Sequence, residues 1–171
     1  MSLFQRAMAF ILDNIRFFTA NKIEVEFETL LENPGLVYCV RVCFMWQKNG
    51  KHKIYRWFYR NEQRIFLCAV RSWIAIVLRF VRLMGKDSKK PLAIYNNRNH
   101  GLRLVTADLA TTLMRKLAVE VHHLTKDEDI KKFSCHSLRV GACCIYFATG
   151  YKPDFIQRVL RWKSNAWRTY V

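Results

Sequence analysis

The sequence has few acidic residues, few glycines and few prolines. Only 13 Asp and Glu stand against 29 Lys and Arg in 171 residues, and there are 6 Gly and 3 Pro. Neither a repeat nor a low-complexity tract interrupts the chain, so it is expected to form one compact domain, 1–171. Apolar residues make up 51% and aromatic residues 14% of it, which excludes an intrinsically disordered protein. The formal net charge of +16 favours a polyanionic partner, nucleic acid first and an anionic membrane surface second.

Long hydrophobic runs are also missing. The most apolar stretch, Trp73 to Leu78, is bounded by Arg71 and Arg79 and is too short to span a bilayer. Residues 1–10 contain no small-residue cleavage site, so no signal peptide is expected. The 6 cysteines lack a Cys-x-x-Cys pair and the density of a secreted disulfide scaffold. They are interpreted as reduced, mostly buried residues of an intracellular protein.

Metal binding is not supported by the pattern. Cys135 and His136, with His122 and His123 upstream, are the nearest approach to a zinc-ligand set. Their spacing is neither that of a zinc finger nor that of a zinc ribbon. No metal and no cofactor are therefore predicted.

The β-strand signals lie in the first third of the chain. Residues 37–46 and Ile54 to Tyr59 are rich in β-branched and aromatic residues, and Asn49-Gly50 between them is typical of a type I′ turn. An earlier strand is predicted at Ile23 to Phe27, where apolar residues alternate with Glu24 and Glu26. Together these segments predict a small, three-stranded antiparallel sheet.

The remainder shows helical periodicity. A helix is predicted from Val70 to Met84, with Gly85 as its C-terminal cap. A second begins after Thr106 and runs to about Leu124, and a third spans His136 to Thr149. A fourth begins at Pro153 and ends near Leu160. The second helix carries an apolar stripe on one face, formed by Leu109, Leu113, Leu117 and Val121. The fold class is therefore α+β, mainly helical, with a small antiparallel sheet near the N-terminus.

The last 36 residues carry the pattern with chemical content. His136 and Arg139 lie three residues apart and share one face of a helix, so both can address a single phosphate. Gly141 follows Arg139 after two residues, Trp162 after 23 and Tyr170 after 31.

This pattern resembles the catalytic domain of the tyrosine recombinases, or phage-type integrases. His-x-x-Arg, a glycine two residues after the Arg, a Trp or His about 23 residues after it, and a Tyr eight or nine residues further on form that family's second motif block. Arg-Trp-Lys-Ser at residues 161–164 resembles the variant found in eukaryotic mobile elements. Three upstream segments match the same variant in order: Asp13-Asn14-Ile15-Arg16-Phe17, Gln47-Lys48-Asn49 and Leu67-Cys68-Ala69-Val70-Arg71.

The resemblance implies metal-independent DNA recombination and integration through a 3′-phosphotyrosyl intermediate. Tyr170 would be the nucleophile, and Arg139 would neutralise charge on the phosphoryl oxygens. His136 would hydrogen-bond the same phosphate and help to take the tyrosine proton. Trp162 stands where the family often has His, and its indole N–H donates a hydrogen bond without shuttling a proton. Lys48, at the hairpin turn, would protonate the leaving 5′-oxygen.

The implied partners are double-stranded DNA and other recombinase protomers in a synaptic complex, with no membrane, and the implied location is nuclear in a eukaryotic host. The other tryptophans, Trp46, Trp57, Trp73 and Trp167, are interpreted as core or packing residues rather than base-stacking platforms.

The chain departs from the family in its first motif block. That block carries a further catalytic Arg with an acidic residue three positions later, and no Arg of this sequence has Asp or Glu at that spacing. The chain is therefore interpreted as an N-terminally truncated catalytic domain without the DNA-clamping domain. Two hypotheses follow: an active recombinase module whose missing Arg is supplied otherwise, or a catalytically inactive DNA-binding remnant of a mobile-element integrase.

Overall fold

The computed structural model describes residues 10–45, 53–63, 65, 68–160, 162 and 164–171. It divides into two units, Met1–Leu104 and Val105–Val171. The first unit contains strands and one long helix, and the second is helical. The protein is α+β with a small antiparallel sheet in its N-terminal part, as the sequence predicts.

The first unit is built on a sheet with the strand order β2-β1-β3-β4, in which all neighbours are antiparallel. Its strands are β1 (Ile15–Phe18), β2 (Glu24–Val25), β3 (Cys39–Phe44) and β4 (Ile54–Tyr59). Helix α1 (Phe27–Glu32) and a short 3-10 turn (Pro34–Leu36) connect β2 to β3. The predicted hairpin of β3 and β4 is confirmed, with Phe44 opposite Ile54. Its Asn49-Gly50 turn lies outside the described residues.

The prediction of three strands was wrong because β1 gave too short a signal. β1 has four residues and follows Asp13-Asn14, a pair that is rare in strands. The strand predicted at Ile23 to Phe27 is shorter than expected, since α1 already begins at Phe27. β2 pairs with β1 and lies at the edge of the sheet.

One face of the sheet is buried against helix α2 (Ala69–Met84). Alternate residues of β1 and β3 supply Ile15, Phe17, Val40 and Val42, each no more than 2% exposed. The helix contributes a stripe at steps of three and four residues: Val70, Ile74, Val77 and Phe80. Burial of such a side chain stabilises the fold by about 1.5 to 3 kcal/mol. The prediction of this helix is confirmed, including its end at Gly85, whose φ is 77°.

A second sheet, of two strands, is the last element of the first unit in the sequence. β5 (Ile94–Asn97) and β6 (Gly101–Leu104) pair as an antiparallel hairpin, which the sequence analysis did not predict. Each strand has only four residues, which is too short for a clear alternating pattern. The Asn-rich connection between them is typical of a turn, so the segment gives no strong strand signal. The Arg79 guanidinium of α2 donates hydrogen bonds to the carbonyls of Ile94 and Leu92, so this hairpin is tied to the long helix.

The described residues of the second unit form four α-helices and a 3-10 helix. They are α3 (Ala107–His122), α4 (Asp127–Lys131), α5 (Cys135–Ala148), α6 (Pro153–Val159) and the C-terminal 3-10 helix Asn165–Tyr170. The three helices predicted here are confirmed to within two residues at each end. The Thr106 Oγ1 accepts a hydrogen bond from the Leu109 N–H at 3.1 Å and so caps α3.

The apolar stripe of α3 is largely exposed. Leu113, Leu117 and Val121 are 51%, 59% and 66% exposed, and Ala118 is the buried residue of this helix. The small core of the unit lies elsewhere, where Cys143 and Ile156 meet Trp167.

Several side-chain predictions are decided by burial. All six cysteines are free thiols, and four of them are buried. Trp73 packs against the core of the first unit and Trp167 is 1% exposed, as predicted. Trp57 is 41% exposed and therefore not part of the core, and it packs against Phe18 and Arg41 on the surface of the sheet. Trp46 lies outside the described residues.

Within the described ranges, the structure has no helix that combines the length and the apolar character needed to cross a bilayer.

Candidate active site

The beginning of helix α5 positions His136. Ser134 is the N-cap, and its Oγ accepts a hydrogen bond from the His136 N–H at 3.2 Å. The Ser137 Oγ accepts one from the Ser134 N–H at 3.0 Å, which completes a capping box. His136 is exposed and lies in the first turn of a 14-residue helix. The positive end of the helix dipole therefore favours an anion beside it.

Arg139 lies one turn further along the same helix and is held over an aromatic ring. The centre of its guanidinium is 4.3 Å from the centroid of the Trp162 ring. Its Nη2 donates a hydrogen bond to the Leu160 carbonyl at 2.6 Å. Among the residues that the structure describes, no carboxylate forms an ion pair with it. The guanidinium is thus oriented by a ring and a carbonyl, with its charge uncompensated.

Trp162 connects the arginine to the other aromatic groups. Its ring centroid is 6.1 Å from that of His136 and 5.6 Å from that of Tyr170. Its backbone N–H donates to the Gln157 carbonyl at 2.9 Å. The indole Nε1 is buried without an acceptor among the described residues, as is the Nε1 of Trp167. A buried N–H in this state raises the free energy of the fold by about 1 to 3 kcal/mol.

Tyr170 is brought to His136 by the C-terminal 3-10 helix. Its hydroxyl oxygen lies 3.3 Å from the His136 Nε2, within hydrogen-bond distance. The two ring centroids are 5.9 Å apart and the rings meet edge to face. Tyr170 is 38% exposed, so the residue is partly accessible to a ligand.

The sequence predicted that Trp167 packs in the protein, but not that it holds the C-terminal 3-10 helix in place. Trp167 is buried against Cys143 and Ile156, and the Cys143 Sγ lies 3.8 Å from the Trp167 carbonyl oxygen. The Cys144 thiol donates to the Tyr170 carbonyl at 3.2 Å. Burial raises the pKa of the Cys143 thiol, which keeps it protonated as a donor. The residue type of Trp167 was the available signal, because tryptophan is highly buried on average.

Four of the five predicted site residues therefore form one cluster: His136, Arg139, Trp162 and Tyr170. Lys48, the fifth, lies outside the described residues. The cluster joins a nucleophilic hydroxyl, an imidazole that can accept its proton, and an oriented cation. These groups suit transfer of a phosphoryl group, in which an oxygen nucleophile must lose a proton while negative charge grows on the phosphate.

The described residues contain no group of three or more His, Cys, Asp and Glu side chains placed to hold a metal ion. Comparison of the chain with models of protein families, with curated proteins and with solved structures finds no match in any of the three.

Proposed function

We propose that this chain is a tyrosine recombinase catalytic domain that binds double-stranded DNA and cleaves it through a covalent tyrosine intermediate. The observation that carries the proposal is the 3.3 Å approach of the Tyr170 hydroxyl to the His136 Nε2, across 34 residues of sequence. The motif spacing alone singles out both residues in the sequence. Their meeting, with Arg139 and Trp162 beside them, supports the resemblance on which the proposal rests.

In the proposed reaction, the Tyr170 oxygen attacks a DNA phosphodiester and its proton passes to His136. This requires the His136 tautomer with an unprotonated Nε2. The new bond links the tyrosine to the 3′-phosphate, and the bond from phosphorus to the 5′-oxygen breaks. The resemblance assigns the proton that the 5′-oxygen needs to Lys48. Rejoining reverses these steps on a second 5′-hydroxyl.

Arg139 carries the electrostatic part of the proposed mechanism. A phenol with a pKa of about 10 is a poor nucleophile at neutral pH, so charge on the phosphate must be compensated as the bond forms. The stacking on Trp162 and the hydrogen bond to Leu160 hold the guanidinium in one orientation before DNA arrives. Such preorganised donors typically contribute a hundred- to a thousandfold, roughly, in rate. The role that the resemblance gives to the Trp162 N–H requires movement of the ring, because this group is buried in the structure.

A second candidate function is that of a catalytically inactive DNA-binding remnant of a mobile-element integrase. The observation in its favour is that Arg139 is the one arginine that the described residues place on the Trp162 ring. The family uses two arginines, and the sequence contains no match to the first motif block. The basic surface would then bind DNA without turnover. In both cases we propose that the partners are DNA and further protomers. We also propose that the protein acts inside the cell, and in the nucleus if the host is a eukaryote.

An activated substrate separates the two functions without knowledge of the target sequence. The substrate is a set of DNA duplexes with randomised sequence, each carrying a p-nitrophenyl ester on a 3′-phosphate. Attack by Tyr170 releases nitrophenolate, which needs no proton, so the test does not depend on Lys48. We expect a covalent adduct between protein and DNA that survives denaturation, forms in EDTA and maps to the peptide containing Tyr170.

Two variants control the experiment. Tyr170→Phe should abolish the adduct. Tyr151→Phe, at another exposed tyrosine of the same unit, should leave it unchanged. DNA binding without any adduct would favour the inactive remnant, and an adduct that persists in Tyr170→Phe would exclude Tyr170 as the nucleophile.

A further inference from the structure

The face of the four-stranded sheet opposite its core carries aromatic rings and two guanidinium groups. Pairing places Arg16 opposite Arg41 and Arg41 opposite Trp57, in one row across three strands. The neighbouring row places Phe18 opposite Cys39 and Cys39 opposite Tyr59. We call this surface the aromatic face and define it by six residues: Arg16, Phe18, Arg41, Tyr55, Trp57 and Tyr59.

The three rings of strand β4 are strongly exposed. Tyr55, Trp57 and Tyr59 are 54%, 41% and 57% exposed, at alternate positions on one side of the strand. A globular protein seldom places three large rings in a row on its surface unless they contact something. β4 is also an edge strand of the sheet, so a ligand can approach the row from the side as well as from above.

Arg41 holds a positive charge at the centre of the aromatic face. Its guanidinium lies 5.4 Å from the ring centroid of Phe18, 5.2 Å from that of Tyr55 and 5.6 Å from that of Trp57. The described residues offer it no carboxylate partner. Arg16, by contrast, is paired with Glu24 at 3.1 Å. The net charge of the face is therefore positive, which suits a polyanion.

The spacing of the rings indicates whether a nucleic acid bound there is double-stranded or single-stranded. Alternate residues of a strand are about 6.7 Å apart, twice the rise of about 3.4 Å between bases in one strand of a duplex. Bases that remain stacked on each other within a duplex cannot each lie on a separate ring of this row. Bases of an unpaired, extended strand can, and aromatic rings interleaved with cations are the usual surface for such strands.

We propose that the aromatic face binds single-stranded nucleic acid, with successive bases stacked on Tyr55, Trp57 and Tyr59 and the phosphate backbone near Arg41. The proposal does not depend on the proposed function. The aromatic face belongs to the first unit and uses none of the residues around Tyr170.

The test measures the affinity of the full chain for a fluorescently labelled oligothymidylate of about 12 nucleotides, in about 0.3 M salt to weaken purely electrostatic binding. The double variant Tyr55→Leu/Tyr59→Leu removes two rings and leaves the charge unchanged. Its affinity should fall at least about tenfold, because each stacked base contributes about fivefold or more. Tyr55→Phe/Tyr59→Phe keeps the rings and should bind within about twofold of the original chain.

Two further probes separate stacking from charge. A deoxyribose-phosphate oligomer of the same length without bases should bind the original chain weakly and should not distinguish the Leu variant. Circular dichroism checks that the variants fold. Equal affinity of the Leu variant and the original chain for oligothymidylate would overturn the proposal. An equal loss with the base-free oligomer would do the same.

The tryptophan of the row provides a readout that does not need the Leu variant to fold. Binding of oligothymidylate should quench part of the intrinsic fluorescence, and at saturating oligothymidylate that part should be missing in Trp57→Phe. Quenching that is undiminished in Trp57→Phe would show that the bases lie elsewhere.

Discussion

Replacement of Trp167 by alanine tests whether a single buried ring holds Tyr170 in place. Trp167 lies in the 3-10 helix that ends at Tyr170 and is 1% exposed. It packs with Cys143 and Ile156 in the small core of the second unit. Without the ring, little apolar contact remains between the 3-10 helix and this core.

The magnitude follows from the buried area. A tryptophan buries roughly 150 to 250 Å², which at about 25 cal/mol per Å² contributes about 4 to 6 kcal/mol. Measured losses for Trp→Ala in cores are about 3 to 5 kcal/mol. A unit as small as Val105–Val171 has a free energy of unfolding of only about 3 to 10 kcal/mol. We therefore expect Trp167→Ala to remove at least about a third of this free energy of unfolding.

Trp167→Phe is the matched comparison. The Trp167 Nε1 is buried without an acceptor in the part of the chain that the structure describes, and removal of such a donor recovers about 1 to 3 kcal/mol. This gain offsets much of the lost contact, so the phenylalanine variant should lie far closer to the original chain than the alanine variant does.

Hydrogen exchange followed by mass spectrometry resolves the effect within the second unit. In Trp167→Ala, the amides of α5 should exchange at least about a hundredfold faster, which corresponds to about 3 kcal/mol. The adduct with activated DNA should be lost together with this protection. A change below about 1 kcal/mol in Trp167→Ala would refute the burial argument, and equal losses in the alanine and phenylalanine variants would refute the argument from the unpaired N–H.

Three further predictions concern charge. Arg139→Ala should lower the rate of adduct formation by about a hundred- to a thousandfold. Arg139→Lys should recover only part of it, because an ammonium group cannot stack on Trp162 as a guanidinium does; a fully active Lys variant would contradict the orientation argument. The affinity for duplex DNA should fall steeply between about 50 and 500 mM salt, since counterion release drives binding of so basic a chain; a flat titration would oppose it. The hydrogen bond from Lys86 lowers the pKa of Glu28, so the stability from this pair is present above the ordinary Glu pKa and is lost as the pH falls through the lowered value. An NMR titration should show the Glu28 pKa rising in Lys86→Met, and an unchanged pKa would refute the pairing.

Local signals in the sequence were sufficient for the longer elements. Periodicity together with Gly85, Thr106 and Pro153 predicted the helices to within two residues, because caps and apolar steps act over a few neighbouring residues. The shorter strands could not be predicted from such local signals. β1, β5 and β6 have four residues each, and strands this short depend on partners that are distant in sequence.

Periodicity also does not reveal what covers a face. The stripe of α2 is buried, whereas the stripe of α3 that contains Leu113 and Leu117 is largely exposed. The residue type of Trp57 favours a core or packing position, and the pleat of β4 directs it to the aromatic face, where it packs without being buried. Side-chain direction in a strand reverses with each residue, so the register alone decides which face a residue occupies.

For the candidate site, the sequence by itself determined the identities and the spacing of His136, Arg139, Trp162 and Tyr170, and through the resemblance their expected roles. Only the tertiary structure brought the Tyr170 hydroxyl within 3.3 Å of His136 and the Arg139 guanidinium onto the Trp162 ring. The physical reason is that His136 and Tyr170 are 34 positions apart and Arg139 and Trp162 are 23 apart, so no local signal in the sequence reports their contact. Their proximity follows from burial of Trp167 against Cys143 and Ile156, which returns the end of the chain to the first turn of α5.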